Sequence, residues 1–222
     1  MRRSLVGNPN QTNEEATKKA GALDALLADW KAKGWITSTV PPTAKIPKET
    51  QAAAALILSV FPRVMEFRRL ATANVPDLAS AYARFSKSGP LESDSVGFEA
   101  MRKVGNAFDL SYLCAGAFDL FAATQEAETR IASVDPTEAY EFKVTTRWGA
   151  IILSGGSATS YGAEPLLLAI DTGGNDTYVN QPSATSATQP ISVVLDGAGA
   201  DKYVSDAALA TTPVEKWEDR AK

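Results

Sequence analysis

The 222-residue chain is 45% hydrophobic and 22% charged, the balance of a folded protein rather than a disordered one. It has no histidine and a single cysteine, Cys114, which excludes a Ser-His-Asp or Cys-His nucleophile, a His-ligated zinc and an internal disulfide. The net charge of −4 is unevenly placed: between residues 150 and 210, Lys202 is the one basic residue against six acidic ones. Such a surface repels phosphate backbones and attracts cations, so nucleic acid is not an expected partner.

At the N-terminus Met1-Arg2-Arg3 is basic, but Asn8, Pro9, Asn10 and Gln11 interrupt any apolar run, so no secretory signal is read. The longest largely apolar run, Ala52 to Phe61, is too short to span a bilayer, and no transmembrane segment is expected. The expected location is extracellular or at the cell surface if a leader has been removed, with the cytoplasm left open.

Residues 1–137 read as a helical domain. Thr12 and Glu15 match a capping box, and Ala16, Ala20, Leu23, Leu27 and Trp30 form one stripe that ends near Gly34. Pro41, Pro42 and Pro47 impose an extended linker. A second helix runs from about Glu49 to Thr72 with Pro62 inside it, and a third begins after Asn74 and carries Leu78, Tyr82 and Phe85. A further helical stretch starts at Ser93 or Asp94. A long apolar helix from about Phe108 to Ser133 is closed by Asp135-Pro136, and its Cys114, Tyr112, Phe118 and Phe121 read as core. Its Asp109 and Asp119 have no partners in a catalytic or metal-ligating spacing.

From Glu138 the composition shifts to Thr, Val, Ile, Gly and Tyr, defining a β repeat tract over 138–210 and leaving a polar tail, 211–222. Three segments superpose: residues 151–161, 168–178 and 193–203 each read as an apolar strand, a small-residue turn and a closing tyrosine. Asp171 and Asp196 begin the second and third turns and Asp176 and Asp201 end them, while the first turn has Ser154 and Thr159 instead. The offsets are 17 and 25 residues, with the extra eight in the Ser/Thr/Pro-rich stretch 181–190. Alternation keeps Leu166, Leu168 and Ile170 in phase with Ile191, Val193 and Leu195, as stacked coils require. The expected fold is α+β, an N-terminal helical bundle followed by a short parallel β-solenoid-like repeat tract. A hairpin across each glycine turn is the weaker alternative.

Glycines let these turns bring backbone carbonyls together, and stacked aspartates can either cap turn amides or supply oxygens to a hard cation. Gly-Gly-Asn-Asp-Thr-Tyr (173–178) and Gly-Ala-Gly-Ala-Asp-Lys-Tyr (197–203) resemble the calcium-binding nonapeptide repeats of RTX proteins. They are more similar still to the Asp-x-Gly-Gly-x-Asp-x-Tyr repeats of large bacterial proteins that place a helical region before a β tract. That resemblance implies Ca2+ as the ligand, with Asp171, Asn175, Asp176, Asp196 and Asp201 as the metal-binding set. It departs in spacing, since RTX turns recur every nine residues.

The function expected from these features is a non-catalytic structural or adhesive module, calcium-stabilised, meeting a polysaccharide or protein partner at the cell surface. The alternative is a carbohydrate-active enzyme on a β-solenoid that uses paired aspartates such as Asp171 and Asp196.

Overall fold

The computed structural model describes residues 23–75, 77, 102–162, 164–179, 185 and 189–204. The capping box at Thr12, the expected helix after Asn74 and the polar tail lie outside the described residues, as does most of the 181–190 insertion.

Helix α1 (Leu23–Ala32) buries Leu23, Leu27 and Trp30, the stripe read from the sequence. It closes at Gly34, whose φ of +68° suits glycine. There Gly34 N–H donates to Lys31 O and Trp35 N–H to Trp30 O, the double bond pattern of a Schellman end. The proline linker follows, held by the Gln51 side-chain amide, which donates to the Thr43 and Ile46 carbonyls.

Helix α2 (Lys48–Ala71) runs through Pro62 without ending there. Helix α3 (Leu110–Ile131) starts two residues later than its apolar run suggests, because Asp109 caps it by accepting Ser111 N–H. The two helices pack closely where Gly116 meets Phe67 and Val64. Asp119 pairs with Arg63 at 2.6 Å across this contact. Three expectations for α3 are corrected: Cys114 is exposed, and Phe118 and Phe121 are each 59% exposed. The buried line of α3 is Gly116, Ala123, Ala127 and Ile131, and the small side chains of the first three allow close approach to α2.

Among the described residues seven strands follow: β1 (Glu141–Thr146), β2 (Gly149–Ser154), β3 (Ser160–Tyr161), β4 (Leu166–Asp171), β5 (Thr177–Val179), β6 (Val193–Asp196) and β7 (Lys202–Val204). The fold is therefore α+β, with parallel strands in both of its sheets. The larger sheet has the order β1-β2-β4-β6 and the smaller β3-β5-β7. Antiparallel β1 covers the first edge of the larger sheet, pairing Phe142 with Leu153 and Val144 with Ile151. The segment after α1 closes over β1 in turn, through the Ile36–Thr146 bridge and the bond from Thr37 N–H to Thr145 O.

All other pairings are parallel. Leu153, Ile170 and Leu195 stand in one row, and Tyr161, Tyr178 and Tyr203 in another, so the register survives the eight-residue insertion. No hairpin forms across Gly173-Gly174, because β5 pairs with β3 and β7 instead of β4.

The sheet positions explain the apolar runs. One face of the large sheet, with Ile151, Leu153, Leu168, Ile170, Val193 and Leu195, joins the helices in a single core. The other face, with Ala150, Ile152, Leu166 and Ala169, packs on Tyr161 and Tyr178 of the small sheet. Strand β4 is buried on both faces, hence its unbroken Leu-Leu-Leu-Ala-Ile. At the junction Trp148 meets Trp30, Trp35 and Phe61 edge-on, and Arg147 lies 4.1 Å over the Trp148 ring.

Candidate functional site

The three glycine turns, between β2 and β3, β4 and β5, and β6 and β7, lie side by side where the strands of each sheet pair in parallel, and their polar side chains bond from one turn to the next. Backbone rungs run from Thr172 N–H to Ser154 O and from Gly197 N–H to Asp171 O at the first turn position. At the second they run from Thr177 N–H to Thr159 O and from Lys202 N–H to Asp176 O. Side chains add a second ladder. Asp176 Oδ1 accepts Thr159 N–H at 2.6 Å, Asp201 Oδ1 accepts Asp176 N–H at 2.7 Å, and Asn175 Oδ1 accepts Ala200 N–H at 2.9 Å. Gly174 must be glycine here: its φ is +124°, and a β-carbon would press on the Asp176 carboxylate at 3.2 Å.

Asp171 is fully buried between the sheets. Its Oδ1 accepts Gly173 N–H at 3.0 Å, and its Oδ2 takes the Tyr161 hydroxyl at 2.5 Å and Ser154 at 3.0 Å. Ser154 and Tyr161 also bond each other. Burial and the Asp171 bond push the Tyr161 phenol far up. A buried carboxyl is tolerable only when its oxygens are occupied, and these are.

The tyrosine rings stack at 4.9 Å between centroids, tilted by 9° for Tyr161–Tyr178 and 11° for Tyr178–Tyr203. Burial also raises the Tyr178 phenol strongly, with the nearby Asp196 adding to it. The Tyr178 hydroxyl makes no hydrogen bond of normal length, whereas the Tyr203 hydroxyl donates to Asp196 at 3.2 Å.

The five residues of the expected metal set are thus separated by environment. Asp171 and Asp176 are buried, Asp201 is half-buried, and Asn175 and Asp196 are exposed. Asp176 stands out, because its Oδ2 is buried and no N–H or hydroxyl among the described residues donates to it. Desolvation raises its carboxyl to about 6 against the Thr159 amide bond, with Asp171 and Asp201 adding repulsion. Asp196 is raised as well, first by burial and then by Asp201. Among the described residues no three acidic, cysteine or histidine side chains converge as a metal-holding group. An ion at Asp176 would therefore complete its six to eight oxygens from turn carbonyls and water.

Sequence reasoning missed Ser154 and Tyr161 as hydrogen-bonding partners of Asp171, although Ser154 holds the aspartate position of the first repeat. It also missed the hydroxyl chain from Thr50 through Tyr140 to Thr172, which ties α2 to the second turn at 3.2 and 2.8 Å. A cavity of about 300 Å3 beside the last turn is lined by Ile131, Pro136, Thr172, Leu195, Asp196 and Gly197, and neither Asp171 nor Asp176 lines it.

No described helix is long and apolar enough to cross a membrane. No family model matches the chain, and searches of curated proteins and of solved structures find no match either.

Proposed function

We propose that the chain is a non-catalytic structural module: a three-coil β-solenoid, backed by helices, that presents a surface to a polysaccharide or protein partner outside the cell. The observation that supports this reading best is how the turn carboxylates are used. Asp176 and Asp201 each bind an amide of the preceding coil, and Asp171 is sealed beneath Tyr161 and Ser154. A glycosidase pair needs both carboxyls open to substrate. Asp171 and Asp196 face each other in register, but Asp171 has no exposed surface. The test is to replace Asp171 and Asp196 by Asn singly, then measure melting temperature and hydrolysis of a polysaccharide panel. Loss of stability in Asp171→Asn with no hydrolysis in either protein or the parent supports the module. Hydrolysis abolished by Asp196→Asn at unchanged melting temperature overturns it.

A second role, calcium binding at the second turn, is favoured by the buried, unbonded Asp176 Oδ2. Calcium would relieve the repulsion among Asp171, Asp176 and Asp201 and stabilise the fold by mass action, about 2.7 kcal/mol at a hundred times its dissociation constant. Asp176→Ala should abolish that gain and Thr159→Ala should leave it. A melting temperature unmoved by millimolar calcium removes the cation and leaves turn capping alone.

A further inference from the structure

The three coils share one strand–turn–tyrosine pattern but differ in what lies above them. Tyr161 and Tyr178 are 1% and 2% exposed, while Tyr203, the next ring of the same stack, is 73% exposed. Val204 beside it is 44% exposed. In the first two coils, the second turn amide (Thr159, Asp176) reaches a carboxylate of the coil above. Among the described residues nothing accepts from Asp201 N–H. The carbonyls of Ser154, Asp171, Thr159 and Asp176 each take an amide from the next coil, whereas no described donor reaches those of Asp196 and Asp201. The first edge of the large sheet is closed by β1 and the 36–37 segment, so the two ends of the stack differ.

We propose that the open face of the third coil is a docking site for a strand–turn–strand segment of another polypeptide with the same pattern: an apolar strand, a glycine turn, an acceptor side chain, and then a tyrosine two residues later. Unpaired strand edges are templates for strand addition. The occupant's chemistry follows from continuity with the two coil-to-coil interfaces already present. Its turn carboxylate takes the Asp201 amide, as Asp201 takes that of Asp176. Its two turn amides bond the Asp196 and Asp201 carbonyls, and its tyrosine stacks on Tyr203. Lys202, exposed on β7 and the one basic residue among the described residues of the repeat tract from 150 onward, complements the acidity such a turn brings. The site rests on the stacked-coil reading and adds to it a partner and a register.

The test titrates the full-length, isotope-labelled chain with a synthetic peptide of residues 189–204, followed by amide shifts and hydrogen exchange. Saturable shifts at Asp196, Asp201 and Tyr203 are expected, with exchange at the Asp201 amide slowed about tenfold. A control peptide with serine at both aspartates and alanine at the tyrosine should have no effect. A second arm duplicates residues 180–204 between Val204 and Ser205, which should raise the melting temperature above that of the same insertion with those substitutions. No shifts with the peptide up to millimolar concentration overturns docking from another chain, whatever the duplication does. Fast exchange at the Asp176 amide would instead overturn the stacked-coil reading itself.

Discussion

Asp176 binds the backbone of Thr159, seventeen residues earlier, with Oδ1 at 2.6 Å, and leaves its second oxygen buried without a partner. One carboxylate therefore does two opposed things. It satisfies an amide that would otherwise be orphaned between neighbouring turns, and it carries charge into a place that disfavours charge.

The opposition has a pH signature. The Asp176 carboxyl sits near 6 in the fold, against about 3.9 for an ordinary unfolded aspartate. Between those values the folded chain binds more protons than the unfolded one, so stability falls as pH rises from about 4 to about 6 and levels off above. The loss should be on the order of 2 kcal/mol. Asp176→Asn keeps the Thr159 acceptor and removes the charge. In chelator-treated buffer its melting temperature should gain on the parent's between pH 4.5 and 7, and two parallel melting curves would refute the shift.

Truncation acts differently from neutralisation. Asp176→Ala strands the Thr159 amide in a part-buried turn and should cost about 1–3 kcal/mol by urea denaturation. Asn175→Ala, whose partner Ala200 is exposed, should cost less than about 1 kcal/mol.

The tyrosine row should show a gradient of hydroxyl dependence. Tyr161→Phe removes the donor to buried Asp171 and should cost about 1–3 kcal/mol. Tyr203→Phe removes one exposed bond to Asp196 and should lie within about 0.5 kcal/mol of the parent. Equal costs for the two would mean that Asp171 does not depend on Tyr161.

Glycines in the turns should divide by contact. A β-carbon at Gly173 would collide with the Pro136 carbonyl, where the α3-to-β1 connection packs on the second turn. Gly173→Ala should therefore lower stability by about 1–3 kcal/mol or more. At Gly34 there is no neighbour within 4 Å but φ is +68°, so Gly34→Ala should cost only about 1 kcal/mol of backbone strain. Thermal melting of the two proteins decides between them.

The repeat tract was legible because its signals are local. Aspartates at both ends of a glycine turn, a tyrosine two residues on and period-two alternation survive any loop length, so the 17- and 25-residue offsets still gave the observed rows. Helices α2 and α3 were legible for the same reason, through their apolar spacing and closing signals.

Which faces those signals serve was decided by tertiary structure. The expectation that Phe118, Phe121 and Cys114 belong to the core failed because α3 presents Gly116, Ala123 and Ala127 to its neighbours, and small residues carry a weak hydrophobic signal. Asp119, without a partner in the spacing of its own helix, is paired with Arg63 from another helix, a partner that spacing along the chain cannot reveal. Asp171 and Asp196 make the same point within the repeat: they share one register and one local sequence pattern. One is fully buried and bonded by Tyr161, and the other is exposed, because β4 lies between β2 and β6 whereas β6 has no described strand on its far side. Local sequence sets backbone conformation and strand phase, but burial, and with it the pKa and the chemistry of a carboxylate, depends on what the rest of the chain lays over it.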